Sequence, residues 1–290
     1  MYLENRYQEK LKRYLPGQNY VSVAVVSGHI DIYEWLLKFY PNEWHSNSFI
    51  INVAIEHSYN DIFDKYFANS IFVHNEKLQI LDTILKYDRY DYLEKLYNSD
   101  FGMTNMNIDK IYEYGSHKIL KWLHKNNKVA VWPVLTYDMF SYCICKSHLP
   151  FLEYYLYEIS PESAPEIKEN TVLVIIFNDR LSSLIWLQQH GFLKSISNNM
   201  ITEAIKYFRF TIFKWFFQEF KDTVLNRENF EYICMNGSHP ILEFVIHNSL
   251  YDMKNANLDD LIDFLEIKIK DTIYSNDLIN FRKVISLLNN

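Results

Sequence analysis

Residues 21 to 37 read Val21-Ser-Val-Ala-Val-Val-Ser-Gly-His-Ile-Asp-Ile-Tyr-Glu-Trp-Leu-Leu37, two apolar helical phrases joined by a glycine turn. Two further clear copies are Gly115-Ser-His-Lys-Ile-Leu-Lys-Trp-Leu123 and Ile201-Thr-Glu-Ala-Ile-Lys-Tyr-Phe-Arg-Phe-Thr-Ile-Phe-Lys-Trp-Phe-Phe217. Aligned on Trp35, the phrase occurs eight times at a spacing of about 30 residues. A period of this length is typical of stacked repeats, in which no single unit can bury its apolar face alone.

The first half of each copy has the apolar spacing of a short α-helix. Apolar residues recur at positions i, i+3 and i+4, which lie on one face of a helix. The first column is Val21, Ile51, Leu81, Ile108, Phe140, Val172, Ile201, Phe230. The second column is Ala24, Ala54, Ile84, Ile111, Cys143, Ile175, Ala204, Ile233, and the third is Val25, Ile55, Leu85, Tyr112, Ile144, Ile176, Ile205, Cys234. The pattern predicts a helix with one buried stripe.

The second half of each copy predicts an amphipathic helix. Its two apolar columns are Tyr33, Phe63, Leu93, Leu120, Leu152, Leu184, Phe213, Leu242 and Leu36, Tyr66, Leu96, Leu123, Tyr155, Leu187, Phe216, Val245. Between them stands a column that is charged in seven copies of eight: Glu34, Asp64, Glu94, Lys121, Glu153, Ile185, Lys214, Glu243. One face is therefore expected to be buried and its neighbour to be exposed to water.

The link between the two helices has residues that are suited to a tight turn. The turn column is Gly28, Ser58, Asp88, Gly115, Ser147, Asp179, Phe208, Gly237, in which Phe208 alone departs from small or polar residues. Gly and Asp tolerate the backbone angles that end a helix abruptly. Three positions later stand Asp31, Asp61, Asp91, Lys118, Pro150, Ser182, Thr211, Pro240. Asp, Ser and Thr are expected to cap the second helix and Pro to fit its first turn, so that only Lys118 lacks a rationale.

The phrase from Ala24 to Leu37, Ala-x-x-x-Gly-His-hydrophobic-Asp-hydrophobic and a Leu-rich helix, resembles the second half of an ankyrin repeat. The Tyr-, Phe-, Ile- and Asn-rich copies resemble the ankyrin-like repeats of large DNA viruses of amoebae, or of AT-rich protists. The chain lacks the Thr-Pro-Leu-His opening of that family. Connectors such as 126–138 and 158–170 also replace its Gly- and Asp-rich hairpin finger.

We therefore expect an all-α fold, an α-solenoid of eight to nine degenerate ankyrin-like repeats. Residues 1–16 are expected to form an N-terminal capping helix, residues 17–250 the repeat array, and residues 251–290 a C-terminal repeat or capping helices around Leu261 and Phe281. A HEAT-type or TPR-type array is the alternative, but its repeats would be longer, at 34 residues or more.

Composition limits the classes of function that this chain can have. A net charge of −7 and a pI near 5.8 argue against general nucleic-acid binding, and no apolar run is long enough to span a bilayer. The N-terminus carries Glu4 where a secretory signal would be basic and then apolar, and the cysteines are sparse. We expect a cytoplasmic protein (the host cytoplasm if it is viral, or the virion), without cofactor or metal.

Two residue groups resemble catalytic or metal sites. Cys143 and Cys145, near His148, stand two positions apart on a predicted helix, so their thiols point in nearly opposite directions and cannot share one zinc ion. Gly115-Ser-His117 and Gly237-Ser-His239 repeat one tripeptide, which duplication of a turn explains without a catalytic dyad. No phosphate-binding loop or nucleophile elbow occurs. The chain is expected not to be an enzyme.

Two sets of residues on the second helices are possible contact sites. Trp35, Trp122, Trp186 and Trp215 share a column with Lys65 and Lys95, and either pack against the next repeat or contact a partner. Lys118, Lys121, Lys125 and Lys128 form a basic stripe, either a solvated helix face or a dock for an acidic partner.

The outward columns of the first helices are the main candidates for partner binding, because ankyrin-like arrays bind partners through this helix. The candidate residues are Asp82, Lys86, Asp109, Lys110, Glu113, Tyr142, Glu203 and Lys206. The expected function is a non-enzymatic scaffold for protein–protein interaction. The alternative is a structural or assembly protein that self-associates or forms part of a virion.

Overall fold

The chain is helical in every regular element that the computed structural model describes. The described residues are 20–38, 45–99, 101, 108–161, 165–220, 225–236, 238–251, 261–263, 265–267 and 275–288. No strand occurs within these ranges. The expected all-α class is therefore confirmed, whereas the expected capping helix at 1–16 lies outside the described residues.

Each of the eight sequence copies, numbered repeats 1 to 8 in chain order, forms one pair of helices. The first helices are α1 (Tyr20–Val26), α3 (Asn47–His57), α5 (His74–Lys86), α7 (Ile108–Tyr114), α9 (Tyr137–Cys145), α11 (Glu169–Phe177), α13 (Asn198–Lys206) and α15 (Arg227–Met235). The second helices are α2 (Ile30–Leu37), α4 (Asn60–Ala68), α6 (Tyr90–Tyr97), α8 (His117–Lys125), α10 (Leu149–Tyr154), α12 (Leu181–Gln189), α14 (Phe210–Glu219) and α16 (His239–His247). A π-helical turn, Tyr155–Ile159, continues α10, and α17 (Ser275–Leu288) follows the last pair.

The chain divides into two compact units. Unit 1 extends to Pro133 and includes Glu153–Ile159, and unit 2 comprises Val134–Leu152 and the chain from Ser160 onward. In unit 1, α1, α3, α5 and α7 pack in sequence, each against the next and against its own second helix. In unit 2, α9, α11, α13 and α15 also pack each against the next, and α11 and α13 pack against their own second helices. In addition, α16 packs against α17. Within each unit, consecutive first helices thus pack together, as the sequence period predicts.

The apolar columns form the core of both units. Every member of the columns that begin with Ala24, Val25 and Tyr33 is buried. Ile108 and Tyr66 are the only partly exposed members of the other two columns. Tyr66 stays near the surface because its hydroxyl donates a hydrogen bond to the carboxylate of Glu34 in the preceding repeat, at 3.1 Å.

The turn after each first helix repeats one hydrogen-bond geometry. In the first repeat the amide of Gly28 donates to the carbonyl of Val25, and the amide of His29 donates to the carbonyl of Ala24. The same two bonds recur in repeats 2 to 7, and the second of them recurs in repeat 8 from Ser238 to Ile233. This is the Schellman motif, which satisfies the last carbonyls of a helix and requires a left-handed residue. Ser58, Asp88 and Ser147 adopt that conformation although they are not glycine.

Phe208 departs from the residue types of the turn column, but its backbone has the same conformation as the other described turns. Its φ is +56°, in the same left-handed region as Gly28 at +75°. The amides of Phe208 and Arg209 donate to the carbonyls of Ile205 and Ala204, as in the other repeats. The conformation of the turn is therefore kept where its usual sequence is lost, because the helices on either side require the reversal.

The predicted N-cap positions of the second helices are wrong. These helices begin one residue before the predicted capping column, so Asp31 and Ser182 occupy the second helical position. The residues that precede the helices, such as His29 and Arg180, make no capping bond with their side chains. Asp31 still favours the helix because an acidic residue in the first turn interacts well with the helix dipole. Caps from side chains occur instead on first helices, at Ser46, Thr136, Ser197 and Asn226.

Lys118, which had no rationale as a helix start, is capped from another repeat. Its amide donates to Oδ2 of Asp88 at 3.0 Å, and the amide of Ile119 donates to Oδ1 at 2.9 Å. His117 Nδ1 lies 3.1 Å from the same carboxylate. Asp88 belongs to the turn of the third repeat, so one repeat caps a helix of the next.

Candidate functional site

Five of the candidate residues lie on neighbouring first helices of unit 1. Asp82 and Lys86 are on α5, and Asp109, Lys110 and Glu113 are on α7, which packs against α5. Lys86, Asp109 and Glu113 are exposed, and Asp82 and Lys110 are half-buried. The structure therefore places these five residues on two helices that lie side by side, as the sequence predicts.

A tyrosine connects the two helices at this surface. The hydroxyl of Tyr114 lies 3.0 Å from both carboxylate oxygens of Asp82, across the boundary between repeats 3 and 4. Lys110 lies 2.8 Å from Glu113, and its Nζ is 5.3 Å from the centre of the Tyr114 ring. Partial burial and the bond to Asp82 raise the pKa of Tyr114, so the phenol remains a neutral donor. Three of the candidate residues, Asp82, Lys110 and Glu113, thus contact neighbouring side chains at this surface.

A second tyrosine, one repeat earlier, also bonds a carboxylate of the preceding repeat, but its acceptor Glu56 stands in a different repeat column from Asp82. Tyr87 donates a hydrogen bond to the carboxylate of Glu56, and this bond, together with slight burial, raises the pKa of Tyr87. Tyr87 and Tyr114 occupy the same column, directly before the turn residue. The sequence pattern did not indicate either contact, because the two acceptors stand in different columns and only the tyrosine column is shared.

The other three candidates lie in unit 2. Tyr142 is 41% exposed on α9, and the Nζ of Lys146 lies 5.8 Å from the centre of its ring. Glu203 and Lys206 form a pair on α13, with 3.1 Å between the carboxylate and the amine. Lys206 Nζ also lies 4.9 Å from the centre of the Tyr207 ring. These residues face solvent but are not linked to one another across repeats.

Side chains in the turns bind the preceding repeat. Ser116 Oγ donates to the carbonyl of Leu85 at 2.5 Å, and Arg209 Nη2 donates to the carbonyl of Phe177 at 2.5 Å. Tyr59 makes the equivalent bond to the carbonyl of Val26 at 3.3 Å. In each case the acceptor lies in the last turn of a first helix, where carbonyls lack partners within the helix. Ser116 therefore has a structural role beside His117, as the duplicated-turn interpretation predicts.

The second helices carry alternating charges that pair between repeats in unit 1. Lys65 forms an ion pair with Glu34, and Lys95 lies 2.6 Å from Asp64. Tryptophans of the same column differ in burial: Trp186 and Trp215 are buried, whereas Trp35 is 42% exposed. Trp122 is half-buried and its ring lies 5.2 Å from that of Tyr97 in the preceding repeat, so packing against a neighbour extends to this tryptophan as well.

The basic stripe is shorter than the sequence suggested. Lys118, Lys121 and Lys125 are exposed on α8, but Lys128 follows the end of the helix. The Nζ of Lys128 lies 5.1 Å from the centre of the Tyr97 ring, and that of Lys121 lies 5.2 Å from the centre of the Tyr154 ring. Lys128 therefore does not belong to the helical stripe.

Two of the three cysteines are buried in the core. Cys143 and Cys234 are fully buried, and burial raises the pKa of each thiol to about 12. Cys145 is half-buried, with its sulfur 3.8 Å from the carbonyl of Thr171. Within the described ranges no three His, Cys, Asp or Glu residues are grouped closely enough to hold a metal ion.

A cleft of about 420 Å³ lies in unit 2 between two connectors. One connector precedes α11 and contributes Glu166, and the other precedes α13 and contributes Lys194 and Ser195. The remaining lining residues are Ile167, Glu169, Val172, Gly191, Phe192, Leu193, Ile196, Ser197 and Met200. Nothing in the repeat columns indicated this cleft.

Comparison with known proteins adds no family to these observations. No protein-family model matches the chain, and no curated protein matches its sequence. Among the helices that the structure describes, none has the length and apolar character needed to cross a membrane.

Proposed function

We propose that this chain is an α-solenoid of ankyrin-like repeats that serves as a non-enzymatic scaffold for a protein partner. Support for the repeat architecture comes from the eight helix pairs, their shared Schellman turns and the packing of each first helix on the next within a unit. In such arrays each repeat contacts only its neighbours, and the surface is long and preformed.

One observation carries the functional part of this proposal. The buried columns of the first helices are apolar in every repeat, whereas the outward column changes its chemistry from repeat to repeat. Its members are Val26, Glu56, Lys86, Glu113, Cys145, Phe177, Lys206 and Met235. All but Cys145 and Met235 are exposed. Because this column is mostly exposed, its side chains are not fixed by packing and can differ between repeats. A constant core under a varied surface is what selective recognition requires.

The proposed contact surface is formed by the charged candidate residues of unit 1, which are Asp82, Lys86, Asp109, Lys110 and Glu113. Ordered hydrogen bonds such as Tyr114 to Asp82 keep the side chains of α5 and α7 in place. A preorganised surface loses little conformational entropy when a partner binds, so more of the contact energy appears as affinity.

The experiment begins with affinity capture from the native host and identification of the partner by mass spectrometry. The purified partner is then titrated against a variant with Lys86→Glu, Lys110→Glu and Glu113→Lys. We expect affinity to fall at least about tenfold while the thermal midpoint is kept. Lys86 and Glu113 are exposed, where substitutions usually change stability by less than about 0.5 kcal/mol, and reversing both Lys110 and Glu113 keeps opposite charges in that pair.

The matched control reverses Lys118, Lys121 and Lys125 on α8, which is also exposed but lies on a second helix. Release of the partner by this control alone would move the binding surface to the second helices. Light scattering after size exclusion tests the alternative role, because a large homogeneous assembly without a captured partner would support a structural protein instead.

A further inference from the structure

The basic stripe of α8, which comprises Lys118, Lys121 and Lys125, concentrates positive charge on one helix. This helix has three lysines and no acidic residue, whereas no other second helix has more than one lysine. The spacings of three and four residues place the three amines on one face of the helix. All three lysines are exposed, although the chain as a whole has a net charge of −7. The positive charge is therefore local to this face.

The fold does not use the basic stripe as it uses the charges of the earlier second helices. There, an acid of one helix pairs with a lysine of the next helix: Glu34 with Lys65, and Asp64 with Lys95. Lys121 stands in the column of these two acids, so the sign of that column is reversed at α8. The pairing between repeats thus does not account for the charge of Lys121.

Aromatic rings, and not carboxylates, are the neighbours that the structure gives to this part of α8. Trp122 occupies the column of Lys65 and Lys95, and its ring lies 5.2 Å from that of Tyr97. The Nζ of Lys121 lies 5.2 Å from the centre of the Tyr154 ring. Within the part of the chain that the structure describes, none of the three amines of the stripe forms an ion pair. A cation beside an aromatic ring keeps its charge, so all three amines can bind an anion.

We propose that the basic stripe binds an acidic peptide segment. Charge complementarity favours this occupant, because three amines without a carboxylate partner attract carboxylates and lose no existing ion pair on binding. The stripe extends along about 10 Å of helix, at a rise of about 1.5 Å per residue. Carboxylates on alternate residues of an extended peptide are about 7 Å apart, so two of them match the length of the stripe.

A nucleic acid matches the stripe less well. Its affinity depends on how many phosphates are neutralised, and three amines neutralise few. Glu94 on α6 and Glu153 on α10 occupy the exposed column position of Lys121 in the preceding and following repeats. Their negative charge repels a polyanion that extends beyond α8. The stripe therefore suits a ligand with only a few acidic groups.

The test uses the full chain and fluorescence anisotropy with three probes. The first is a labelled synthetic peptide in which Glu and Ala alternate, the second has Gln in place of each Glu, and the third is a single-stranded oligothymidylate. We expect the Glu peptide to bind the tightest and its affinity to decrease with added salt, because exposed charges are screened. Tighter binding of either of the other two probes would overturn the assignment.

Replacement of all three lysines of the stripe by Gln is the decisive variant, because Gln has nearly the same helix propensity as Lys. Affinity for the Glu peptide should fall about tenfold. The matched control replaces three exposed lysines on other elements, Lys146, Lys194 and Lys214, by Gln, which makes the net charge more negative by the same amount. The control should stay within about twofold of the native affinity, because distant charges are screened. Equal losses in the two variants would assign the binding to net charge and overturn the proposal.

The thermal midpoint of the decisive variant should be kept, since exposed substitutions have small effects on stability. If that variant unfolds, the single substitution Lys125→Gln takes its place and should weaken peptide binding about twofold. Peptide affinity that is unchanged in these variants would overturn the proposal.

The inference goes beyond the proposed scaffold function, because α8 is a second helix and the proposed contact surface lies on the first helices α5 and α7. The variant of Lys86, Lys110 and Glu113 should therefore keep its affinity for the Glu peptide. A chain that binds its captured partner but not the Glu peptide would keep the scaffold function and remove the ligand of the basic stripe. A chain that binds the peptide through the stripe but captures no partner would do the reverse.

Discussion

At the turn position, the described repeats share one backbone conformation although the residue differs from repeat to repeat. Gly28 has φ +75°, and a Cβ built on it would lie 2.8 Å from the ring of Tyr59, so a side chain at this position would have to displace that ring. Phe208 has the same conformation without such a contact. The space available to a side chain at the turn position therefore differs between these two repeats, although the backbone conformation is the same.

Phe208→Gly should stabilise the protein. The left-handed conformation costs a residue with a side chain about 1–2 kcal/mol, and the greater freedom of glycine in the unfolded chain offsets about 0.5–1 kcal/mol of that gain. We expect the free energy of unfolding to rise by about 0.5–1 kcal/mol in a urea titration. Gly28→Ala, at the same position of the first repeat, should instead lower it. Equal effects of the two substitutions would contradict the strain argument.

Alanine substitutions of Leu187 and Ser182, both on α12, should differ in their effect on the free energy of unfolding. Leu187 is fully buried, so Leu187→Ala should cost about 2–5 kcal/mol. Ser182 is exposed at the second helical position, so Ser182→Ala should change stability by less than about 0.5 kcal/mol. Guanidinium unfolding measures both. A cost near 1 kcal/mol for Ser182 would restore the capping role that the sequence suggested.

Helices of this chain depend on residues outside themselves. The start of α8 has its amides bound by Asp88, a residue of the preceding repeat, and the ends of α1, α5 and α11 have carbonyls bound by the next repeat. Such short helices are marginal when isolated. These four helices are consequently stabilised by an adjacent repeat, which couples the formation of one pair to the next.

Asp88→Gly tests this coupling at α8. Glycine keeps the left-handed turn and removes both bonds to the amides of Lys118 and Ile119, so the free energy of unfolding should fall by about 0.5–2 kcal/mol. Asp179→Gly is the matched control, because Asp179 has φ +57° in the same column but its carboxylate reaches only Arg209, at 3.9 Å. The control should be neutral or slightly stabilising. Chemical denaturation of the two variants decides, and a larger loss in the control would refute a cap shared between repeats.

The whole molecule has no core common to all repeats if the solenoid proposal is correct. Its described residues form two compact units, and within each unit the first helices contact those of adjacent repeats. Stability in such an array is a sum of repeat and interface terms, so one repeat can open while a distant one stays closed.

Two buried thiols of unit 2 can report such opening. Cys143 belongs to repeat 5 and Cys234 to repeat 8, and the raised pKa of each thiol, about 12, keeps it protonated and unreactive near pH 8 while the repeat is closed. Leu242→Ala, in the helix that pairs with α15, should therefore speed alkylation of Cys234 more than that of Cys143. Peptide mass spectrometry after timed labelling measures both rates. Equal acceleration would indicate one cooperative core and count against the solenoid.

From the sequence alone, the period, the buried columns and the helical class could be predicted, because burial selects apolar side chains and a helix repeats them at i, i+3 and i+4. The column of Ala24 illustrates this, since every one of its members is buried. The positions of the candidate residues on α5 and α7 follow from the same register.

Only the tertiary structure decided which residues meet across repeats. Asp88 caps α8, Tyr114 binds Asp82 and Arg209 binds the carbonyl of Phe177, and each of these contacts joins residues about 30 positions apart. The left-handed backbone of Phe208 likewise comes from the two helices that it joins, against the preference of its own side chain. A local pattern records which residues favour burial or a turn, but pairing and strain depend on neighbours that only the fold brings together.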